Sequence, residues 1–579
     1  MTKFRSPHGS CPYSPDNLTI PQFLLDSQHP NKPLRKQGNP WLIEDATGRK
    51  IYFEEVRKEN CSKDIHPDLS QLQARIFGLA NALFLKWSIS AFIVCIFGNN
   101  HVDYPVALWA IHRLGAIALT VSPKYTADEL HCQLNATAAT LIISHSEGVL
   151  TARNAADRAG LPVILLDTPK QPSGNLLLLD DLVAEGLTKH ALFVEKRLGP
   201  GEGKTKVAIL SLTSGTSGQP RAVAISHYSV ITNVIQMSAF NNVNTAGDAC
   251  RWRPGDVATG DTYGLIVNLH WLLFSGLSVI VVPTFDFGEL LKSIKRHSAT
   301  HLLLVPPQVI LLCKNQNRAL VRKLSHVRHI LCAAAPLSPE VTQQLTKILP
   351  GVSIAQGYGM TETATAVTMT AITDESARSV GQLLPGVVAR VVKEDGSLAT
   401  AGQQGELVVT GPQVALRYMA EADENDPPST CRWVHTGDLV EINNEGDVFM
   451  IDRLQDIIKD GDFRVSPSKL EGHLLIHPDV EDTCVVGVPN NHGGEIPLAF
   501  VVLKDKVLDK ANSKPKNADK IKASIDKHVS DHKEQHERLN GRVVFTESIP
   551  KNPSGKILRW KLRDRAKQLR EQQYTNDWV

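Results

Sequence analysis

Leu212-Thr-Ser-Gly-Thr-Ser-Gly-Gln-Pro-Arg221 is the segment on which the reading of this chain turns. An apolar run, Val207–Leu212, leads into it, and a second, Ala222–Ile225, follows. Both runs read as strands, so the small residues between them form a tight, hydroxyl-rich connection. Such a loop can wrap backbone N–H groups around an oligophosphate, with the Thr and Ser hydroxyls as further donors. Arg221 adds a cation that no neighbouring residue neutralises. GxxxxGK[ST] is not matched, and the loop leads into a strand rather than a helix, so it is not a Walker A loop. A flexible Ser/Gly linker is the bland alternative, and the two flanking strands with the closing Pro-Arg argue against it.

Working outward, the chain alternates helical and strand patterns. Leu72–Trp87 and His101–Leu114 carry apolar residues at helical spacing. Phe92–Phe97, Ala116–Val121, Thr140–Ser144 and Pro162–Leu166 read as short buried strands, and the rhythm resumes at Ser278–Val282, His301–Val305 and His329–Leu331. This is the pattern of parallel sheets covered on both faces. After about residue 380 the texture changes to turns and short strands. Asn443-Asn-Glu-Gly446, between Asp438–Ile442 and Asp447–Ile451, reads as a hairpin turn, which suggests a small barrel-like unit. Residues 1–40 read as an irregular lead-in, Leu272–Pro283 as a buried strand, and Lys504–Glu537 as a solvated loop with an exposed helix.

Composition narrows the functional classes. With 579 residues the chain needs more than one core. A formal net charge of +2 gives no reason to expect nucleic acid or an anionic membrane. The nine cysteines are scattered singly, which fits reduced, mostly buried thiols and a cytoplasmic location rather than zinc or disulfides. No apolar run reaches the length of a membrane span. Pro7, Gly9, Pro12 and Pro15 near the start do not make a signal peptide, and the ending Asp577-Trp578-Val579 is not the usual peroxisomal tripeptide.

Four more segments stand in order behind the loop: Leu331-Cys-Ala-Ala-Ala-Pro-Leu337, Gln356-Gly-Tyr-Gly-Met-Thr-Glu-Thr363, His435-Thr-Gly-Asp438 with Asp452-Arg453, and Pro550-Lys-Asn-Pro-Ser-Gly-Lys556. Each is weak alone, since Thr-Gly-Asp and Asp-Arg are common turn fragments. Together with the loop they resemble the adenylate-forming superfamily, which includes acyl-CoA synthetases and 4-coumarate–CoA ligases. The resemblance covers most of residues 207–560. It implies an α/β fold: a large N-terminal domain (1–454) of two parallel-sheet subdomains plus the barrel-like one, and a small mobile α+β C-terminal domain (455–579). It also implies an ATP-dependent acid–thiol ligase that forms acyl-AMP and passes the acyl group to coenzyme A.

The same resemblance assigns residues. Thr213, Ser214, Gly215, Thr216, Ser217 and Gly218 would hold the phosphates of ATP together with Arg221. Gln356, Gly357, Tyr358 and Gly359 would cradle adenine, Thr361 would bond the α-phosphate, and Glu362 would hold Mg²⁺. Asp438 would accept from the ribose hydroxyls, supported by Arg453. Ala333, Ala334, Ala335 and Gly357 would wall the acyl group. Lys556 would reach the reacting carboxylate and α-phosphate. Bringing two anions together makes catalysis chiefly a matter of charge neutralisation and alignment. After a hinge beyond Arg453, Lys459, Gly461, Asp462 and Phe463 would face the thiol substrate.

Several positions depart from the family pattern. Arg221 stands where lysine is usual, Ala222 where glycine is usual, and Gln455 replaces the usual hinge lysine. Asp462 puts a carboxylate where the pantetheine arm passes, or else the loop is shifted by one residue. Asp261 stands where a histidine lines the acyl pocket in coumarate ligases; it pairs with a polar substrate or caps the helix that follows. The expected partners are therefore a small carboxylic acid, aromatic or of medium length, and CoA, with a monomer or homodimer as the assembly. Two alternatives stay open: an activating enzyme that loads a carrier protein, and a nucleotide-binding protein that has lost catalysis.

Overall fold

The computed structural model describes residues 3–35, 38–52, 72–89, 92–169, 176–190, 192–213, 220–242, 262–314, 324–335, 337–371, 379–419, 432–461, 463–490, 493–551 and 556–573. The expected α/β architecture is present. In the first sheet, Val207–Thr213, Ile117–Val121, Ile93–Phe97, Leu141–Ser144, Val163–Leu165 and Leu177–Leu178 lie side by side in that order, all parallel. Arg221–Ser226 and Arg417–Tyr418 extend it antiparallel at one edge. A second sheet has His301–Leu304, His329–Cys332 and Ser353–Met360 parallel, continued antiparallel by Thr365–Met369 and Gln382–Leu383.

Strand ends and helices follow the sequence closely because the local signals agree with the packing. Leu72–Trp87 is one helix, and Tyr104–Arg113 the next. Phe287–His297 shows the logic in a single element. Asp286 accepts from the Glu289 N–H at 2.9 Å, and Lys295, Arg296 and His297 close the last turn, where they complement the helix dipole. Its Leu290, Leu291 and Ile294 are buried. The main core also takes in Trp109, whose indole N–H donates to His270 Nε2 at 3.2 Å. His270 Nδ1 donates in turn to the Leu265 carbonyl, and burial pushes the ring down to about 4, so it packs as a neutral side chain.

Three expectations change. The lead-in is anchored, not irregular: Phe4–Arg5 pairs with Val388–Ala389, and Ile20, Phe23 and Leu24 are buried in the main core. Leu272–Pro283 is not one strand. It is the end of the helical run from Tyr263, a turn at Gly276 (φ +80°), and the strand Val279–Val281. The lysine-rich stretch forms two helices, Asp505–Ser513 and Pro515–Ser530, and the second buries Ile521, Ile525 and Val529 along one face.

The barrel-like unit is a five-stranded antiparallel sheet of Phe4–Arg5, Val388–Val392, Gln404–Thr410, Val434–Ile442 and Val448–Arg453, with the expected hairpin between the last two. Beyond it, the short hairpin Ile458–Asp460/Phe463–Val465 precedes a sheet of Val480–Pro489, Glu495–Leu503 and Val543–Phe545 with its own core. Where these parts meet, Asp452 accepts from the Ser466 hydroxyl at 2.7 Å and the Ser468 N–H at 2.9 Å, which ties the last strand of one unit to the first helix of the next.

Candidate active site

Both parallel sheets end in the same place. The chain leaves strand carboxyl ends at Gly98, Ser122, Val305 and Ala333, Thr213 ends its strand, Gly357 is the first residue past the parallel part of Ser353–Met360, and all six line one cavity of about 1040 Å³. Clefts at strand carboxyl ends are where open α/β sheets bind ligands, because the backbone there is free of the ladder.

Strand pairing builds the phosphate side. Thr213 lies opposite Arg221 across the antiparallel pair, and its hydroxyl donates to the Arg221 carbonyl at 3.4 Å. The loop is therefore a hairpin connection whose two ends both reach the cavity. Ser214, Gly215, Thr216, Ser217 and Gly218 lie outside the described residues, as do Asp261 and Asp462. The guanidinium of Arg221 sits 3.9 Å from the ring centroid of Tyr418, a cation–π contact. Tyr418 in turn donates its hydroxyl to Glu362 Oε1 at 2.6 Å. This pairing joins three elements distant in sequence into one charged wall.

Ser353–Met360 carries the glycine-rich motif. Gly359 packs so closely that a Cβ there would meet the Thr365 carbonyl oxygen at 1.5 Å, so no larger residue fits. Gly357, Tyr358, Gly359, Thr361 and Glu362 all line the cavity. Thr361 lies with its hydroxyl 3.4 Å from that of Thr262. Gln356 does not line it. Its side chain is buried behind the wall, accepting from the Leu337 N–H at 3.2 Å and donating to the Ser379 carbonyl at 3.4 Å. Ala333 and Ala334 line the cavity, with Ala334 at φ +73°, whereas Ala335 does not.

Asp438 is 3 % exposed and is held from two sides. The Tyr358 hydroxyl donates to its Oδ2 at 2.7 Å, and Arg453 Nε lies 3.4 Å from Oδ1. Burial pushes this carboxyl above the usual range, and nearby Asp452 adds to that. Arg453, Tyr358 and Lys556 oppose it. The Tyr358 phenol is pushed well up, first by burial and then by the Asp438 charge. Arg453 and Lys556 line the cavity.

Lys459 is placed elsewhere. Its Nζ is 3.0 Å from Glu394 Oε1, the other oxygen of Glu394 is 2.5 Å from Arg464 NH2, and Lys459 is not among the residues lining the cavity. Gly461 turns the hairpin at φ +58°, and Phe463, 55 % exposed, stacks on His536 with centroids 4.4 Å apart. Most of the described residues expected to meet acid and nucleotide thus share one cavity; Gln356 and Ala335 do not line it, Asp438 stands behind Tyr358 and Arg453, and Lys459, Gly461 and Phe463 are not in its lining. Sequence reasoning missed Tyr418, Glu394 and the cavity-lining Arg417 and Arg432. No local motif marks them, because strand pairing and domain contact bring them in.

Comparison with known proteins agrees with this geometry. The family of AMP-binding enzymes matches residues 68–419, and the C-terminal domain of AMP-binding enzymes matches residues 469–556. An acyl-CoA ligase of Alternaria alternata is 32% identical over 568 residues, covering 95% of this chain and 94% of that protein. 4-Coumarate–CoA ligase 3 of Arabidopsis thaliana is 32% identical over 489 residues, 81% of each chain. Among solved structures, an anthranilate CoA ligase in complex with anthranoyl-AMP superposes with a TM-score of 0.77 at 20% identity, covering 96% of this chain and 99% of that one. Among the described residues, no helix is long and apolar enough to cross a membrane. With a family match over more than half its length and these relatives, the chain belongs to the AMP-binding enzymes.

Proposed function

We propose that this chain, an acyl-CoA ligase that joins a carboxylic acid to coenzyme A through an acyl-AMP formed from ATP, activates an aromatic or medium-length acid in the cavity lined by Glu362, Tyr358, Arg453 and Lys556. One observation carries the reading. A single cavity is lined both by the charged side chains of Arg221, Glu362, Arg453 and Lys556 and by the apolar ones of Met237, Val267, Leu303, Leu331 and Met369. An apolar acyl chain or ring gains from burial against those side chains, while its carboxylate faces Arg221 and Lys556.

In this reading Arg221 and Lys556 lower the repulsion between the incoming carboxylate and the α-phosphate, and Asp438 with Arg453 fixes the ribose. Glu362 suits Mg²⁺. Tyr418 occupies one of its carboxylate oxygens and leaves the other for a hard cation, whose phosphate ligands would be oxygens as well. When bound, Mg²⁺ supplies positive charge to the phosphates. Displacement of AMP from the acyl-AMP by a thiol requires the C-terminal unit to turn, since Lys459 and Phe463 lie off the cavity. We take residues 1–454 and 455–579 as the two bodies, with Gln455 at the hinge. Glu362 and Lys556 in the lining of one cavity, with Asp438 bonded to its wall residue Tyr358, argue against a chain that only binds nucleotide.

The test is pyrophosphate exchange over a panel of aromatic, medium-chain and amino-bearing acids, followed by thioester detection with free CoA. Exchange and thioester with an apolar acid support the reading. Exchange confined to amino-bearing acids would overturn the substrate class and favour the polar-pocket role of Asp261. Exchange without thioester would make a carrier protein the better acceptor.

A further inference from the structure

Tyr263–Trp271 is wound as a π-helix, with backbone bonds that reach five residues back instead of four. Wide turns of this kind are rare and recur at functional sites. They change which side chains share a face. In an α-helix the fifth residue on from a given one points well away from it, whereas the wider turn returns it to nearly the same side. Tyr263, Val267 and Asn268 accordingly all line the cavity, together with Met237 from the helix His227–Phe240.

Val267 is apolar, and the Tyr263 hydroxyl donates to the Leu331 carbonyl at 3.4 Å. Asn268 differs from both. The residue is 2 % exposed, and its Oδ1 is enclosed without a hydrogen-bond partner. No hydrogen bond joins its side chain to any of the described residues. A buried amide has given up its bonds to water, so leaving it unpaired costs free energy. Buried polar groups in folded proteins are nearly always paired, and an exception calls for an explanation. The fold supplies Asn268 with no partner among the described residues, so a side chain in this place recovers the cost from a molecule that enters the cavity.

We propose that Asn268 selects the acid, its amide hydrogen-bonding a hydroxyl carried by the otherwise apolar part of the acyl substrate. This deepens the acid-activating reading of the cavity given above and rests on it. An amide offers an acceptor oxygen and two N–H donors, and a hydroxyl both donates and accepts, so the two pair in either orientation. An ammonium group fits less well. Among the described lining residues Glu362 is the sole carboxylate, and it is engaged by Tyr418, so a buried cation at Asn268 would lack a counter-ion of its own. A wholly apolar acid would leave the amide unpaired. A site built around a hydrogen bond rejects an analogue lacking it far more strongly than an apolar pocket rejects a missing methylene. Asn268 touches no reacting atom in this account; it sets which acid is held.

The test is pyrophosphate exchange by the full chain with matched acids. 3-Phenylpropanoic acid is set against its 2-, 3- and 4-hydroxyphenyl counterparts, and octanoic acid against 8-hydroxyoctanoic and 8-aminooctanoic acids. The parent chain should use at least one hydroxylated acid with a kcat/KM about tenfold or more above that of its unsubstituted partner, chiefly through KM. In Asn268→Leu, where an apolar group of similar size replaces the amide, that ratio should fall to about one or below. Each ratio is taken on a single sample, so incomplete folding of the variant does not alter it. Equal use of both members of every pair by the parent chain, or the same hydroxyl preference in Asn268→Leu, would overturn the inference while leaving the substrate class standing. Preference for 8-aminooctanoic acid would overturn it in favour of a carboxylate partner. Exchange with none of these acids would overturn the aromatic or medium-length reading itself, and this inference with it.

Discussion

Tyr418 donates its hydroxyl to Glu362 Oε1 at 2.6 Å while Arg221 lies over its ring at 3.9 Å, so one aromatic side chain orients both a candidate metal-binding carboxylate and a candidate phosphate-binding cation. Tyr418→Phe keeps the ring under Arg221 and removes only the hydroxyl. Hydrogen bonds to charged groups are worth about 1.5–3 kcal/mol, but the Glu362 carboxylate can turn to water, so the low end applies. The expected outcome is an about tenfold higher Mg²⁺ requirement in pyrophosphate exchange with little change in melting temperature. Tyr418→Leu, which also frees Arg221, should in addition raise KM for ATP. Equal behaviour of the two variants would show that the hydroxyl has no separate role.

Glu362→Gln probes the carboxylate itself. A cavity-facing metal ligand contributes to catalysis more than to the core. Adenylation should slow and shift to higher Mg²⁺ concentration, while the thermal transition is kept. Loss of the melting transition with full activity per folded molecule would make Glu362 structural.

How much of this was legible beforehand varies with the distance over which each contact acts. Val207–Thr213, Arg221–Ser226 and the Asn443–Gly446 hairpin follow from local alternation and turn chemistry, and the sequence places them within a residue or two. Tyr418 reaches Glu362 across 56 positions and Lys459 reaches Glu394 across 65, and no local pattern encodes either. Ile521, Ile525 and Val529 do repeat every four residues, but the surrounding lysines hide the stripe from a composition-based reading. The lead-in carried no periodicity, because short segments such as Phe4–Arg5 are ordered by the strand they join rather than by their own preference.

Asp438 is costly to bury, which suggests that binding rather than folding explains its place. Its carboxyl is raised in the folded state, so the fold binds this proton more tightly than the unfolded chain does. The sign of the linkage follows: stability at this position falls as pH rises from the ordinary carboxylate range through the raised value. Asp438→Asn should remove that slope and leave the melting temperature at neutral pH equal or higher. KM for ATP should rise about ten- to hundredfold, as expected when charge-assisted bonds to a ribose are lost. A large drop in melting temperature would contradict this account.

Glu394 pairs with Lys459 and Arg464, neither of which lines the cavity. All three side chains are 42–59 % exposed, so the pairings are worth at most about 1 kcal/mol, some fivefold in a conformational equilibrium. Glu394→Gln should therefore lower adenylation slightly and raise thioester formation from supplied acyl-AMP by no more than that factor. The effect should fade in high salt. A larger change, or one insensitive to salt, would mean that Glu394 acts other than as an exposed ion pair.

Lys556 tests the central claim most directly, because it is a cavity-lining cation supplied by the C-terminal unit, and its charge, together with that of Arg453, reaches Asp438. Pyrophosphate exchange by Lys556→Ala, measured beside thioester formation from supplied acyl-AMP and CoA, separates the two half-reactions. The account predicts that exchange falls by about 10²–10³, the usual cost of removing one charge-stabilising donor, while thioester formation stays near the parent rate. Unchanged pyrophosphate exchange in Lys556→Ala would contradict it.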